Sequence, residues 1–182
     1  MFVDGDDWVE KDYVSYFIKL VSEYELPIGM NKFNYYTDDT IETKDSNYIV
    51  SAEKVIEWLY SGEMFVAVWN KIFSREFIME YHLQFDETIW YGEGMLFNIE
   101  CLQHVEKVAI GEKPVYHQIN NPDSAMRRFN LESNLCGIRS LEKQKQIWKK
   151  KTKTIEKEWM YHRYRFNKSI VSGLLETNTE KD

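Results

Sequence analysis

Cysteine is scarce: Cys101 and Cys136 are the only two in 182 residues. They lie far apart and match no metal-ligand spacing, so free buried thiols are expected, with a disulfide as the alternative. No apolar stretch approaches the ~20 residues that a membrane-spanning helix needs. No Gly/Ser linker, low-complexity tract or internal repeat divides the chain, and its length suits one domain on the prior of ~100–200 residues. The amino terminus is acidic and lacks the apolar core of a secretory leader, so a cytoplasmic protein is expected. The histidines, His82, His104, His117 and His162, have no i, i+4 ligand spacing. No nucleic-acid-binding motif is found, and the acidic body makes nucleic acid a poor partner.

What is present is enough for a packed core, with 43% hydrophobic and 15% aromatic residues. The net charge of −7 conceals an asymmetry. Residues 1–130 carry 23 acids and 11 bases, whereas residues 131–168 carry 4 acids and 11 bases. An acidic body with a basic helical end suggests that the two parts meet different partners, the plainer alternative being a solvated lysine face.

The first eight residues concentrate the chemistry. Phe2 and Val3 lead into Asp4, Gly5, Asp6, Asp7 and Trp8. An apolar run ending in acids reads as a buried strand that delivers carboxylates to its carboxyl end, where ligands bind in open α/β sheets. Three acids so close repel one another, which suits a divalent cation or a hydrated Asp-Gly turn. A calcium loop fails because its third ligand would fall on Trp8 and its sixth position is not glycine. A phosphatase of the Asp-x-Asp-x-Thr/Val type is disfavoured by Trp8.

Downstream, the spacing of Tyr13, Phe17, Leu20, Val21 and Tyr24 predicts a helix over 9–24. Alternation predicts a strand over 28–36, followed by a polar loop from Thr37 to Ser46. Ser51 is a plausible N-cap for a helix to Tyr60. Helices are expected over 75–81 and 93–104, and strands over 107–110 and 115–119. Helical spacing resumes at Leu131 and continues past Trp159. The stripe Trp148, Ile155 and Trp159 reads as a helix face packed on the body, the functional alternative being attachment to a membrane surface.

In this order the segments resemble the second half of a glycosyltransferase family 2 domain of the GT-A fold. Phe2 to Trp8 is similar to the family's strand-end Asp-x-Asp motif. Val68-Trp69-Asn70-Lys71-Ile72-Phe73 is similar to its Trp-Asn-Lys segment, with Arg75-Glu76-Phe77 following. Phe85-Asp86-Glu87 leading to Gly92-Glu93-Gly94-Met95-Leu96-Phe97-Asn98 resembles the Gly-Glu-Asp segment that opens a helix. Pro114-Val115-Tyr116-His117, then Ser124, resembles the closing strand.

The resemblance implies an α/β fold over 1–130, a partial GT-A domain, with a basic helical extension over 131–182. It implies an inverting transfer from a nucleotide-sugar, a UDP-sugar in expectation, to a saccharide or lipid-linked acceptor in cell-surface polysaccharide synthesis. A divalent cation, Mn2+ or Mg2+, would sit on Asp4 and Asp6 and neutralise the departing diphosphate. Glu93 would be the general base. Asp7, Trp8, Trp69, Lys71, His117 and Arg127 are candidates for donor or acceptor binding, Lys71 as an acid-pairing residue and Arg127 as a diphosphate contact.

Two departures qualify this reading. Gly94 stands where the family carries its catalytic Asp, leaving Glu93 as the acid, and a structural role for Glu93 at a helix start is the alternative. Only Met1 precedes the Asp-x-Asp run, where the family has about half of its fold. A truncated domain is therefore expected, with little transfer on its own and an apolar sheet edge that favours a homo-oligomer. The rival function is a non-catalytic acceptor-binding or interaction module derived from such an enzyme.

Overall fold

The structure, a computed structural model, describes residues 1–33, 35–36, 46–119 and 129–177. After a short strand β1 (Trp8–Val9), helix α1 (Tyr13–Tyr24) buries Tyr13, Tyr16, Phe17 and Leu20, one face at helical spacing. The helix stops at Glu25, which turns left-handed at φ 51° and returns its N–H to the carbonyls of Val21 and Ser22. Pro27 then leads into β2 (Ile28–Asn31), all four residues of which are buried.

The main sheet has the order β4-β6-β2-β5, with β4 (Asn47–Ser51), β5 (Lys71–Phe73) and β6 (Lys107–Gly111) joining β2. β6 runs parallel to β2, whereas β5 and β4 are antiparallel to their neighbours. Successive side chains of β6 serve opposite layers. Val108 and Ile110 join the core beneath α2 (Ala52–Ser61) and α4 (Glu93–Leu102), while Ala109 meets Phe17 and Leu20 of α1. Helices on both faces of a mixed sheet make this an α/β fold, as expected.

Local chemistry sets several boundaries. Ser51 caps α2 by accepting the Lys54 N–H at 3.2 Å, and Gly62, at φ 86°, closes it. Ser74 caps the short α3 (Arg75–Glu80) in the same way. A second small sheet has β7 (Tyr116–Gln118) at its centre, antiparallel to β1 and parallel to β3 (Tyr35–Tyr36). Its registers pair Trp8 with His117 and Tyr35 with the same histidine.

Two helices follow, α5 (Leu131–Gln146), capped by the Asn130 side chain, and α6 (Lys153–Thr177). They close against the body, α5 on α4 and α6 on α2. Trp148, between the two helices, donates its indole N–H to the Tyr60 hydroxyl at 3.1 Å. On α6, His162 and Arg165 reach the Tyr60 carbonyl at the otherwise open carboxyl end of α2.

Some expectations change and one holds. Phe2 and Val3 lie in no strand; a strand exists only through a partner's backbone, and here Phe2 instead sets its ring edge-on against Phe73, Phe85 and Phe97. The carboxyl-terminal helix is not continuous from Leu131, because residues 147–152 interrupt it. Trp148, Ile155 and Trp159 are buried in the main core, as the packing reading of that stripe expected. Most of the expected polar loop, residues 37–45, lies outside the described residues.

Candidate active site

Residues 4–7 form a turn closed by the Asp7 N–H on the Asp4 carbonyl at 3.2 Å. Tyr116, from the closing strand, holds this turn at two points. Its hydroxyl accepts the Asp4 N–H at 3.1 Å and donates to Asp7 Oδ2 at 2.6 Å, while its ring stacks on Trp69 with centroids 4.6 Å apart. Asp7 Oδ1 accepts the Ile119 N–H at 3.0 Å. Burial, and then the Asp7 hydrogen bond, push the Tyr116 phenol far above its ordinary range. At ordinary pH it is therefore a donor, and Asp7 is held as an acceptor.

Asp4 and Asp6 have no such restraint from Tyr116. The Asp4 carboxyl is raised above its usual value by partial burial and then by the charges of Asp7, Asp6 and Glu93, with an interaction from the Trp69 indole opposing. The Glu93 contribution matters most for function. Glu93 lies 89 positions away in sequence, in the exposed first turn of α4, yet its charge is felt at Asp4. The fold thus brings the start of α4 within electrostatic range of the acidic turn.

Glu93 owes its position to Gly92, which caps α4 in a left-handed conformation at φ 81°. The Gly92 carbonyl accepts the Ser140 hydroxyl at 2.7 Å, and Gln144 supports that serine at 3.0 Å. Upstream, Lys143 binds the Asp86 carboxylate and the Thr88 hydroxyl. These bonds hold the Asp86 carboxyl down at about 2. Helix α5 therefore braces the segment that presents Glu93 at two places.

The Trp-Asn-Lys segment works from beneath. Lys71 is completely buried, and its ammonium donates to the carbonyls of Phe65 at 2.9 Å and Ala67 at 2.5 Å. Asn98 of α4 donates to the Val66 carbonyl at 2.8 Å. Together they fold the loop that delivers Trp69 to Tyr116. The expected acid-pairing role of Lys71 is corrected: its partners are main-chain carbonyls, because its short strand directs the side chain under its own preceding loop.

Trp8 and His117 stack with ring centroids 3.8 Å apart and planes 7° from parallel, and His117 Nε2 meets Glu10 Oε1 at 3.0 Å. His117 is buried whereas Trp8 is 41% exposed, so the pair forms a supported aromatic platform with one open indole. Arg127 and Ser124 lie outside the described residues. Sequence reading quoted Tyr116 and Asn98 inside motifs but gave them no role; their polar groups on otherwise apolar, buried elements were the available signal. An apolar cavity of about 180 Å³ between Phe2, Phe73, Phe85 and Phe97 offers the carboxylates no polar groups beyond Gln84.

Among the described residues, no group of three or more His, Cys, Asp and Glu side chains is arranged to enclose a metal ion. A hydrated Mg2+- or Mn2+-type ion needs less, one or two carboxylates with the remaining positions on phosphates and water. Asp4, raised by its acidic neighbours, and the exposed Asp6 fit that partial set.

No protein-family profile matches the chain. It is 24% identical over 144 residues to EpsH of Bacillus subtilis, named a putative glycosyltransferase, covering 75% of this chain and 42% of EpsH. It is 25% identical over 130 residues to the uncharacterized glycosyltransferase EpsJ of the same organism, covering 68% of this chain and 38% of EpsJ. Glycosyltransferase GlyA of Streptococcus pneumoniae matches at 26% over 129 residues, covering 63% of this chain and 18% of GlyA. The chain thus spans less than half the length of each of these relatives. Among solved structures, S. aureus TarS in complex with UDP-GlcNAc superposes with a TM-score of 0.57 at 12% identity, over 93% of this chain and 57% of that one. The complex of TarS with UDP gives a TM-score of 0.52 at 15% identity, over 78% and 40%. In sequence this chain is a homologue of proteins named as bacterial glycosyltransferases, and in fold it matches part of TarS.

Proposed function

We propose that the chain carries the catalytic carboxylates of an inverting transferase that moves a sugar from a UDP-sugar to a saccharide or lipid-linked acceptor. The observation that supports this is the convergence of Glu93, from the start of α4, on the acidic turn at Asp4. A glycosyl transfer needs two kinds of carboxylate, one set for the departing diphosphate and one base for the incoming hydroxyl. Glu93, exposed and at a helix start, accepts the acceptor's proton as its oxygen attacks the anomeric carbon. The bond to the diphosphate oxygen breaks on the opposite side, and the configuration inverts. Asp4 and Asp6 would hold a divalent ion, Mn2+ or Mg2+, which when bound supplies charge neutralisation for the diphosphate. Trp8, backed by His117, offers its open face to a sugar ring or base. Asp7 stays on Tyr116 and keeps the turn in shape.

A second reading has its own support. Gly94 stands where the family resemblance places an Asp, and the Trp8–His117 platform suits a module that binds saccharide without turnover. Calorimetry with UDP-GlcNAc, with and without Mn2+, and a transfer assay on the same preparation separate the two. The transferase reading expects Mn2+-dependent binding that Asp6→Ala weakens, and turnover that Glu93→Gln lowers by ~10²–10⁴-fold without changing binding. Nucleotide binding indifferent to both Mn2+ and Asp6→Ala would overturn it, and saccharide binding without nucleotide binding would support the module.

A further inference from the structure

Helix α6 has a second face that packing leaves open. Ile155, Trp159 and Gly173 turn inward. On the opposite side Met160, Tyr164, Val171 and Leu175 are each 56–65% exposed. At 3.6 residues per turn these four fall within an arc of about 60°. Lys153, Lys157 and Lys168 lie in or beside that arc, are exposed, and enter none of the ion pairs among the described residues. Lys150 and Arg163, by contrast, are paired with Glu106 and Glu142. No acidic residue falls inside the arc, and Tyr161 lies at its rim, 52% exposed.

From this arrangement we infer that the outer face of α6 docks on an anionic lipid surface, lying in the interface plane. The inference goes beyond the transferase reading and does not depend on it. Four apolar side chains in one stripe give the buried face, tyrosines suit the headgroup level, and the unpaired lysines meet the negative surface. Charge complementarity decides between occupants. A second copy of this helix would bring the same three lysines to the seam with only Glu156, outside the arc, to meet them, whereas anionic headgroups supply the missing charge. The helix is not long and apolar enough to cross a membrane, so the contact is peripheral.

Co-sedimentation of the full chain with vesicles tests this, using phosphatidylcholine alone and phosphatidylcholine mixed with phosphatidylglycerol. Binding is expected on the mixed vesicles and to fall as salt is raised. Replacing Lys153, Lys157 and Lys168 by Gln should lower partitioning about fivefold per lysine. Tyr164→Glu with Val171→Glu should abolish it, with an unchanged far-UV circular dichroism spectrum showing that the fold is intact. Absence of binding to the mixed vesicles, or equal binding by the double glutamate variant, would overturn the proposal. So would a dimer in analytical ultracentrifugation that the same double variant dissolves, which would assign the stripe to a second copy.

Discussion

Tyr116 donates its phenolic hydrogen to Asp7 Oδ2 across 2.6 Å, joining residues 109 positions apart. The Tyr116 hydroxyl oxygen also accepts the Asp4 N–H, so one buried hydroxyl on the closing strand shapes the acidic turn. Tyr116→Phe keeps the ring stack on Trp69 and removes only the hydroxyl. It should cost about 1.5–3 kcal/mol, the range for a hydrogen bond to a charged group. Urea denaturation would measure it, and UDP-GlcNAc binding should weaken in parallel. Unchanged stability and binding would mean that the turn does not depend on this oxygen.

Asp4 titrates above its ordinary value because burial and three neighbouring carboxylates disfavour its charge. The sign follows from linkage: a raised folded-state value adds stability at low pH, and that increment is lost as pH rises through it. At neutral pH the ionised Asp4 is therefore a burden on the apo protein. Asp4→Asn should raise the apo melting temperature at pH 7, with the advantage shrinking below pH 4, and should weaken Mn2+ binding. A lower melting temperature at pH 7 would show that hydrogen bonding to the carboxylate outweighs the repulsion.

Burial lowers the Lys71 ammonium to about 7 from 10.5. Between those values the unfolded chain binds a proton that the folded chain does not, so this residue adds stability with rising pH, by at most about 1.4 kcal/mol per pH unit. The increment is lost as pH falls through 7. Cys101 and the buried tyrosines oppose it in the alkaline range, since their raised values favour the unfolded chain there. Lys71→Met shares those groups, so the difference in urea stability between the two proteins isolates the lysine. That difference should grow in favour of the wild type from pH 7 to pH 9; a flat difference would place an ordinary ammonium in the core.

At the start of α4, a Cβ on Gly92 would lie 3.1 Å from the Ser140 hydroxyl, in a backbone conformation that L side chains rarely adopt. Gly92→Ala should cost about 1–2 kcal/mol for the left-handed geometry alone. Ser140→Ala should cost about 1 kcal/mol for the lost hydrogen bond. If both act by holding the same turn, their effects in a double-mutant cycle should be less than additive. Strict additivity would mean that α5 supports α4 elsewhere.

What was legible in the sequence was local or periodic. Ser51 marks the start of α2 because a cap is a contact within one turn, and the helical spacing of α1 identified its buried face before its neighbours were known. The approach of Glu93 to the acidic turn was inferred from motif order. The departures concern which partner each group meets once the chain has folded. Phe2 and Val3 have strand-like composition, but a strand requires a free backbone edge, and their rings found an aromatic cluster instead. Lys71 looked like a partner for acids because charge is what a sequence displays; tertiary structure sent it to carbonyls in its own loop. On α6 the spacing already marked Ile155 and Trp159 as a packing face, and only the tertiary structure shows Met160 and Tyr164 left exposed on the opposite side. Periodicity determines which residues share a face. Which face is covered depends on the shape and charge of the surface that folding brings against it.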